Sequence, residues 1–486
     1  MGVAGFALNG GVHFGGYSAL FGMAAENIIG ATVVLADGAV VSLSSPDTCD
    51  ILLQGSSNRT FSREECFQLL RALKGSGGGS IGVVTQLRMK VFEIPPSLSS
   101  ALLLLTIDCA EPENTAKAIA ELFNSLPSKI STTLFGLDAY YKAYTFVALF
   151  AHKKFDYFLK SLSSGKHTNA SRNSHVISFV VELSWLGDYD STAAEIEKLC
   201  LLATQSHAGK RANMRIGAPV STNGKLWSVP SYNLVWGLGH SYGGASIAGS
   251  QDYASTILET AFSRYKNYLS LAKSKVKKER NGKCSDCVIV LHRVSDRIRA
   301  TDFTSTSLNP AIGNLSIWVE MDCGHFYRQR GTWGYCSQWI SETQKSLDSA
   351  VAKISTKREE AIYHYPNVPH LDTSEWERAY YGSSNFQKLS NVKRMMDPMD
   401  VFYHRQSILA SDADSALHSS RMVTDYGLDR GSRVQSLMKA RCRDVYDKKL
   451  VISNFVLASK IFVGLLGTSA LLSLLRKLFR VFSKTY

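Results

Sequence analysis

The run Gly75–Thr85 reads GSGGGSIGVVT, with glycines at 75, 77, 78, 79 and 82. A backbone so bare of side chains can approach a flat or phosphate-bearing ligand closely. Gly77, Gly79 and Gly82 formally satisfy GxGxxG, but the order of the surroundings is wrong for the doubly wound dinucleotide motif. That motif runs strand, glycine turn, helix. Here a helical pattern comes first, with Phe67, Leu70 and Leu73 at helical spacing within Arg63–Leu73, and a β-rich segment, Ile81–Val91, follows. Standing alone, such a run is equally a surface loop.

It has company. The first segment, Gly2–Gly16, is also glycine-dense and includes Gly10 and Gly11. Ala31–Ala36 then reads as a buried strand, Asp37-Gly38 as a tight hairpin turn and Ala39–Leu43 as the return strand. Far along the chain, Tyr380–Phe386 leads into Val392–Phe402, with Asp397-Pro398 and Val401-Phe402, and ends at Gln406-Ser407-Ile408. Together these blocks resemble the berberine-bridge-enzyme-like branch of the FAD-linked oxidases, which have the para-cresol-methylhydroxylase (PCMH) type of flavin fold. The resemblance covers residues 2–408, and the DP-x-x-VF…QSI ending is its most specific block.

The family pattern places a first FAD subdomain ahead of Gly2, carrying a pyrophosphate loop and the histidine and cysteine that can link to flavin. The cofactor domain is therefore expected to be N-terminally incomplete as the chain is written. Met1 falls at a position that helps to gate oxygen in the family. Asn9 replaces a usual glycine, and Ser80-Ile81 stands where Asn-Phe is common.

The resemblance implies FAD as cofactor, with Gly10, Gly11, Gly78, Gly79, Gly82 and Val83 among the groups that cradle it. It also brings Tyr381 and Asn385 toward the flavin ring; a helix-capping role for Asn385 is the competing reading. Tyr365 falls on the family's active-site tyrosine, and His364 stands where asparagine is usual. A base for an alcohol proton must lie close to the substrate, and a tyrosinate needs its pKa lowered from about 10. Tyr365 is then either that base or a core tyrosine with a satisfied hydroxyl. In the family the polar face of the substrate-domain sheet roofs the flavin, which makes Glu320 and His292 candidates for substrate contact. The alternative is that both simply face solvent.

Elements must hold these groups in place. A chain of 486 residues exceeds what one core of about 250–300 residues supports, so two or more domains are expected. Apolar content of 45% with 10% aromatics suffices for sizeable cores. His175–Ser184 alternates, with Ile177, Phe179 and Val181 on one face, and a helix with Ser191 as N-cap follows to Ala203. Cys287–Val294 is another strand. In Leu315–Asp322, Leu315, Ile317, Val319 and Met321 alternate with Ser316, Trp318, Glu320 and Asp322. Strands with one polar face suit an antiparallel sheet covered by helices on one side. After Asp372, a helix containing Trp376 and Tyr380 is expected to break at Gly382, with a second over Phe386–Met395.

The fold class is thus α+β: residues 1–95 a partial PCMH-type FAD-binding domain, 96–371 an antiparallel-sheet substrate domain, and 372–410 a return to the FAD domain. Residues 411–449 read as a polar linker. In 450–486, Leu450–Leu475 is apolar except for Lys460, although the uncharged piece Ile461–Leu475 is shorter than the ~20 residues that cross a bilayer. Arg476, Lys477, Arg480 and Lys484 suit anionic headgroups. A membrane anchor is expected there, with an in-plane amphipathic helix or a buried helix as alternatives.

The net charge of +13 is concentrated in local runs such as Lys273–Lys283, which reads as a solvated helix end. No nucleic-acid module accompanies it, and no nucleic-acid partner is expected. The nine cysteines form no dense framework. Cys284-x-x-Cys287 lacks a second pair at zinc spacing, so a structural or surface role is expected and no metal. The sequons at Asn58, Asn169 and Asn314 matter only in a secreted chain, and Asn314 opens a strand.

The expected function is FAD-dependent oxidoreduction, with a hydride passing from an alcohol, sugar or amine-type small molecule to flavin and molecular oxygen as one acceptor. The expected location is membrane-associated. The alternative is a catalytically inactive, membrane-attached relative acting as a binding or scaffold protein.

Overall fold

A computed structural model describes residues 3–12, 17–76, 78–93, 98–137, 175–187, 189–216, 220–221, 240–274, 286–325, 333–354, 362–368, 370, 373, 375–404 and 406–410. The linker 411–449, the apolar stretch 450–486, Cys284, Asn169 and most of the basic run 273–283 lie outside the described residues.

Four antiparallel strands form the first sheet: β1 (Ile28–Val34), β2 (Val40–Ser45), β3 (Thr48–Leu53) and β4 (Val83–Met89), in the order β3-β2-β1-β4. The Asp37-Gly38 turn closes β1 on β2. Leu35 N–H donates to the Ala39 carbonyl at 2.9 Å, and the Asp37 carboxylate accepts from Ala39 N–H at 3.0 Å. The helix Arg63–Ser76 lays Leu69, Leu70 and Leu73 against Val33, Val41 and Leu43. Its regular part stops where Lys74 leaves helical ψ and Gly75 takes φ 130°, close to the end read from periodicity. A disulfide between Cys49 and Cys66 joins β3 to this helix. Helices Trp376–Tyr381 and Ser383–Met396 bring Tyr380, Tyr381, Leu389, Val392 and Met396 into the same core, which Ile408 completes. Gly382, at φ 75°, separates the two helices as expected.

The second sheet is antiparallel and has nine strands among the described residues. They are β5 (Leu98–Asp108), β6 (Ser131–Leu137), β7 (Val176–Leu186), β8 (Arg215–Ile216), β9 (Val220–Ser221), β10 (His240–Ser250), β11 (Asp286–Arg293), β12 (Leu315–His325) and β13 (Ile362–Tyr363). Their order is β13-β10-β12-β11-β6-β7-β5-β8, with β9 also paired to β5. One face carries Ile177, Phe179, Val181, Ile317, Val319 and Met321, buried under helices that include Pro112–Ser125, Gln251–Ser274 and Trp333–Ala352. Helices cover this face, as the alternation predicts.

Two local expectations change. The helix Tyr189–Gln205 begins two residues before Ser191, which sits in its first turn and not at the N-cap. The polar face of the sheet is not solvent-facing where it matters: Trp318, Glu320, His292 and Glu182 are all buried. Alternation reports two faces, not exposure. Here Val12, Met23, Ala25, Leu308, Ala311 and Ile312 pack around Trp318, Tyr363 and Tyr365 in a third core.

Cys287 is buried and disulfide-bonded, which fits the structural reading of that cysteine. Among the described residues no helix is long and apolar enough to cross a membrane.

Candidate functional site

On the buried polar face, register aligns chemistry across strands. Glu182 of β7 pairs with Thr133 of β6, Thr133 with His292 of β11, and His292 with Trp318 of β12. One step along, Glu320 of β12 lies between Val290 of β11 and Ser246 of β10. Thr133 Oγ1 and His292 Nδ1 are 3.0 Å apart. The Trp318 indole N–H donates to Ser246 Oγ at 3.0 Å, and the Trp318 ring meets Tyr363 and Tyr365 edge-on, with centroids 5.3 and 4.9 Å away.

Glu320 is strongly perturbed by its burial. It is 1% exposed, and neither carboxyl oxygen makes a close hydrogen bond among the described residues, which leaves the interaction with the Trp318 side chain a weak one. Burial pushes its pKa up to about 8, and the Trp318 side chain offsets this only in part. A carboxyl so placed holds its proton near neutrality and can exchange it with a bound molecule.

Tyr365 is fixed at its hydroxyl. The oxygen accepts from Val12 N–H at 2.8 Å and from Asn367 Nδ2 at 2.9 Å, and Asn367 Nδ2 also lies 3.0 Å from the Phe6 carbonyl. Burial raises the phenol pKa above its ordinary value; the two donors pull it down, and the nearby Glu320 charge opposes ionisation. The lowered pKa expected of a tyrosinate base is therefore not what the fold provides. His364 turns away from this group, with Nε2 3.3 Å from Asp348 and Nδ1 3.3 Å from Gln344.

The glycines divide into two kinds. A Cβ at Gly10 would meet Met23, Leu308 and Tyr365 between 3.1 and 3.5 Å; one at Gly11 would lie 2.5 Å from Ala24 Cβ, and one at Gly78 would collide with Asn9. At Gly82 it would lie 2.6 Å from Val33 Cγ2 and 2.8 Å from the Val34 carbonyl. These four serve close packing within the chain. Gly82 in particular is a strand-packing glycine and not the free edge the motif suggests. Gly79 differs: φ is 96° and nothing lies within 4 Å of a Cβ there, while nearby Val83 is 53% exposed. The open backbone at Gly79 leaves room for a flat or phosphate-bearing group.

Tyr381 and Asn385 are also internal. Tyr381 stacks on Phe386 in the first core, and burial raises its pKa. Asn385 Oδ1 accepts from Arg71 at 2.5 Å, and its Nδ2 donates to the Ser307 carbonyl at 2.6 Å. It does not cap the helix Ser383–Met396, since Gly382 occupies the N-cap and no side chain bonds there. Desolvation lowers the pKa of the buried Arg71 guanidinium, so Asn385 is its polar partner in the core.

Sequence reasoning missed the fastening of the glycine run. Lys393, fully buried, donates to the Ser80 carbonyl at 2.7 Å, to Asp397 Oδ2 at 2.6 Å and to the Phe402 carbonyl at 2.8 Å. Asp397 in turn accepts from Val401 and Phe402 N–H, each at 2.8 Å. The DP-x-x-VF block is thus a turn wrapped around a buried ion pair. The i, i+4 spacing of Lys393 and Asp397 was the readable signal. No cluster of residues suited to holding a metal ion occurs among the described residues.

Comparison with known proteins agrees with the family resemblance. Residues 364–409 match the family model described as berberine and berberine like. Over 139 residues the chain is 27% identical to (R)-6-hydroxynicotine oxidase of Paenarthrobacter nicotinovorans, a match that takes in 28% of this chain and 26% of that protein. Among solved structures, the glucooligosaccharide oxidase of Acremonium strictum, which carries a 6-S-cysteinyl, 8α-N1-histidyl FAD, aligns with TM-score 0.55 and 16% identity. The alignment covers 85% of this chain and 72% of that one. The berberine-bridge-enzyme-like protein 1 of Physcomitrella patens aligns at 0.53 and 18%, covering 85% and 71%. A vanillyl-alcohol-oxidase-type (VAO-type) flavoprotein of Myceliophthora thermophila C1 aligns at 0.53 and 16%, covering 84% of this chain and 61% of its own. The chain therefore spans about a quarter of the curated relative and three fifths of this flavoprotein. It has the mixed α/β fold of the VAO-type flavoproteins, with antiparallel sheets.

Proposed function

We propose that this chain supplies the substrate sheet and part of the cofactor domain of an FAD-dependent oxidoreductase acting on an alcohol, sugar or amine-type carbon. The observation that carries the reading is Glu320, a buried carboxyl that makes no close hydrogen bond among the described residues, on the sheet face that holds Trp318 and His292 and that Tyr365 meets through Trp318. The relatives are oxidases of a nicotine derivative and of an oligosaccharide, which motivates the substrate classes.

FAD, when bound, supplies the hydride acceptor. The open backbone at Gly79 and the exposed Val83 would hold it, while Gly10, Gly11, Gly78 and Gly82 shape the surrounding turns. Tyr381 and Asn385 support the cradle from within the core. Glu320 takes the proton from the substrate hydroxyl or amine in its ionised form, a minority near neutrality that grows as pH rises through about 8, so flavin reduction should quicken over that range. Tyr365 orients the substrate from a hydroxyl fixed by Val12 and Asn367. His292, held by Thr133, forms the neighbouring wall. The packed third core excludes water from this face.

Molecular oxygen is the proposed acceptor. The stretch 450–486 is proposed as a membrane attachment on its composition alone; unchanged membrane partitioning after its deletion rejects that part. The catalytic reading is tested by stopped-flow reduction of flavin-loaded protein, anaerobically, with a panel of sugars, alcohols and amines. Glu320→Gln is expected to slow reduction about 10²–10⁴-fold. Reduction as fast as in the parent with both Glu320→Gln and Tyr365→Phe rejects it.

A further inference from the structure

Between β3 and the helix Arg63–Ser76 lies a short turn that the flavin reading does not use. It contains the sequon Asn58-Arg59-Thr60, and the Cys49–Cys66 disulfide brackets it on both sides. The turn is pinned from beneath. Ser56 N–H donates to the Asp37 carbonyl at 2.9 Å, Ser57 Oγ bonds the Asp37 carboxylate, and Arg59 bonds Glu65 at 2.7 Å and the Met395 carbonyl. Asn58 itself takes the left-handed conformation, φ 45°, with its N–H 3.3 Å from the Gly55 carbonyl. The Asn58 and Thr60 side chains are exposed, and neither makes a hydrogen bond within the chain among the described residues.

The sequon at Asn314 is a useful contrast. Asn314 has an internal partner, Leu315 is fully buried, and Ser316 Oγ donates to the Gly249 carbonyl at 3.3 Å inside a strand paired on both sides. A bulky glycan needs an acceptor amide and a sequon hydroxyl that the fold leaves in solvent. Asn58 and Thr60 both provide this; Asn314 is itself exposed, but its sequon hydroxyl, Ser316, is tied into the sheet. Among the described residues Cys49–Cys66 and Cys287 are disulfide-bonded, which suits maturation where thiols are oxidised, the setting in which such glycans are also added.

We propose that Asn58 carries an N-linked glycan, added in an oxidising secretory compartment. The donor is a lipid-diphosphate-linked oligosaccharide. Asn58 Nδ2 forms a bond to the anomeric carbon of the first sugar, the bond from that carbon to the diphosphate oxygen breaks, one amide proton is lost and the lipid diphosphate leaves. The proposal is independent of the flavin chemistry.

The test is peptide mapping, without reduction, of the full protein isolated from its source. Samples are treated with peptide N-glycosidase in heavy-oxygen water. Asn58 is expected to be read as heavy-labelled aspartate in a peptide joined to its neighbour through Cys49–Cys66. Asn58→Gln and Thr60→Ala are each expected to lose the mass of one glycan, while Thr60→Ser retains it. An unlabelled Asn58 in the native protein overturns the proposal, as does an Asn58→Gln variant that keeps its full glycan mass.

Discussion

Lys393 Nζ donates to the Ser80 carbonyl at 2.7 Å, joining the glycine run to a helix 313 residues further on. The ammonium is fully buried and also binds Asp397, so one cation fixes both the loop before β4 and the turn after the helix Ser383–Met396. Ser80 stands beside Gly79, the glycine with open space around it. The open backbone edge proposed to meet the cofactor is therefore held from below by the most specific block of the sequence.

Lys393→Met should leave the Asp397 carboxylate buried without its cation. Breaking such a pair on one side costs about 3–5 kcal/mol. Lys393→Met with Asp397→Asn should lose less, because no charge is then left buried and the amide oxygen can still accept from one of the two N–H groups, Val401 or Phe402, that the carboxylate serves. Urea midpoints of the two variants and the parent check the ranking. Equal losses in both would refute the buried-charge argument.

The Cys49–Cys66 bridge closes a loop across a sequence separation of 17. A loop of about 15 residues is worth about 3 kcal/mol in the chain-entropy account. Cys49→Ala with Cys66→Ala should lower the melting temperature by several degrees, and reductant should move the parent toward the variant. Calorimetry with and without reductant measures this.

Much of the scaffold was legible because its signals are local. The helix Arg63–Leu73, the Asp37-Gly38 turn and the alternation of Leu315, Ile317, Val319 and Met321 need only periodicity and turn chemistry. The site was less legible, because its contacts join distant segments. Nothing local to Gly82 says that Val33 fills the space beside it, or that Gly10 will face Tyr365. Asn385 looked free to meet a ligand because its partner, Arg71, lies 314 residues away. Alternation put Glu320 on the polar face and the family resemblance made it a candidate, yet neither told that distant Leu308, Ala311 and Ile312 pack with Trp318 on that face. The bridge between Cys49 and Cys66 was invisible in a nine-cysteine chain, where pairing follows from the fold and not from spacing.

Tyr365→Phe should cost stability as well as altering the site. It removes the oxygen that accepts from Val12 N–H and Asn367 Nδ2, and leaves the buried Val12 donor without that partner. Stranding a buried polar group costs about 1–3 kcal/mol. Asn367→Ala, which leaves the Val12 bond in place, should cost less. Guanidinium unfolding of the two variants gives the comparison; a Tyr365→Phe midpoint at or above that of Asn367→Ala counts against it.

Glu320 makes stability depend on pH in a definite direction. Its carboxyl titrates at about 8 in the folded chain, against 4.5 for the ordinary solvated glutamate of an unfolded one. Between those values the folded state binds the extra proton. Folding stability from this group is therefore complete below about 4.5 and is lost progressively as pH rises from there through about 8. The loss at alkaline pH is on the order of a few kcal/mol, because the anion must then be housed in a buried site where it makes no close hydrogen bond among the described residues. Glu320→Gln keeps the neutral shape and removes the titration. Relative to the parent it should be near-neutral in acid and more stable in alkali, so the two stability profiles diverge only as pH climbs. Melting curves across that range decide the matter. Parallel profiles would mean that the Glu320 carboxyl is solvated or paired in the folded protein, and with that its role as the proton acceptor would lose its physical basis.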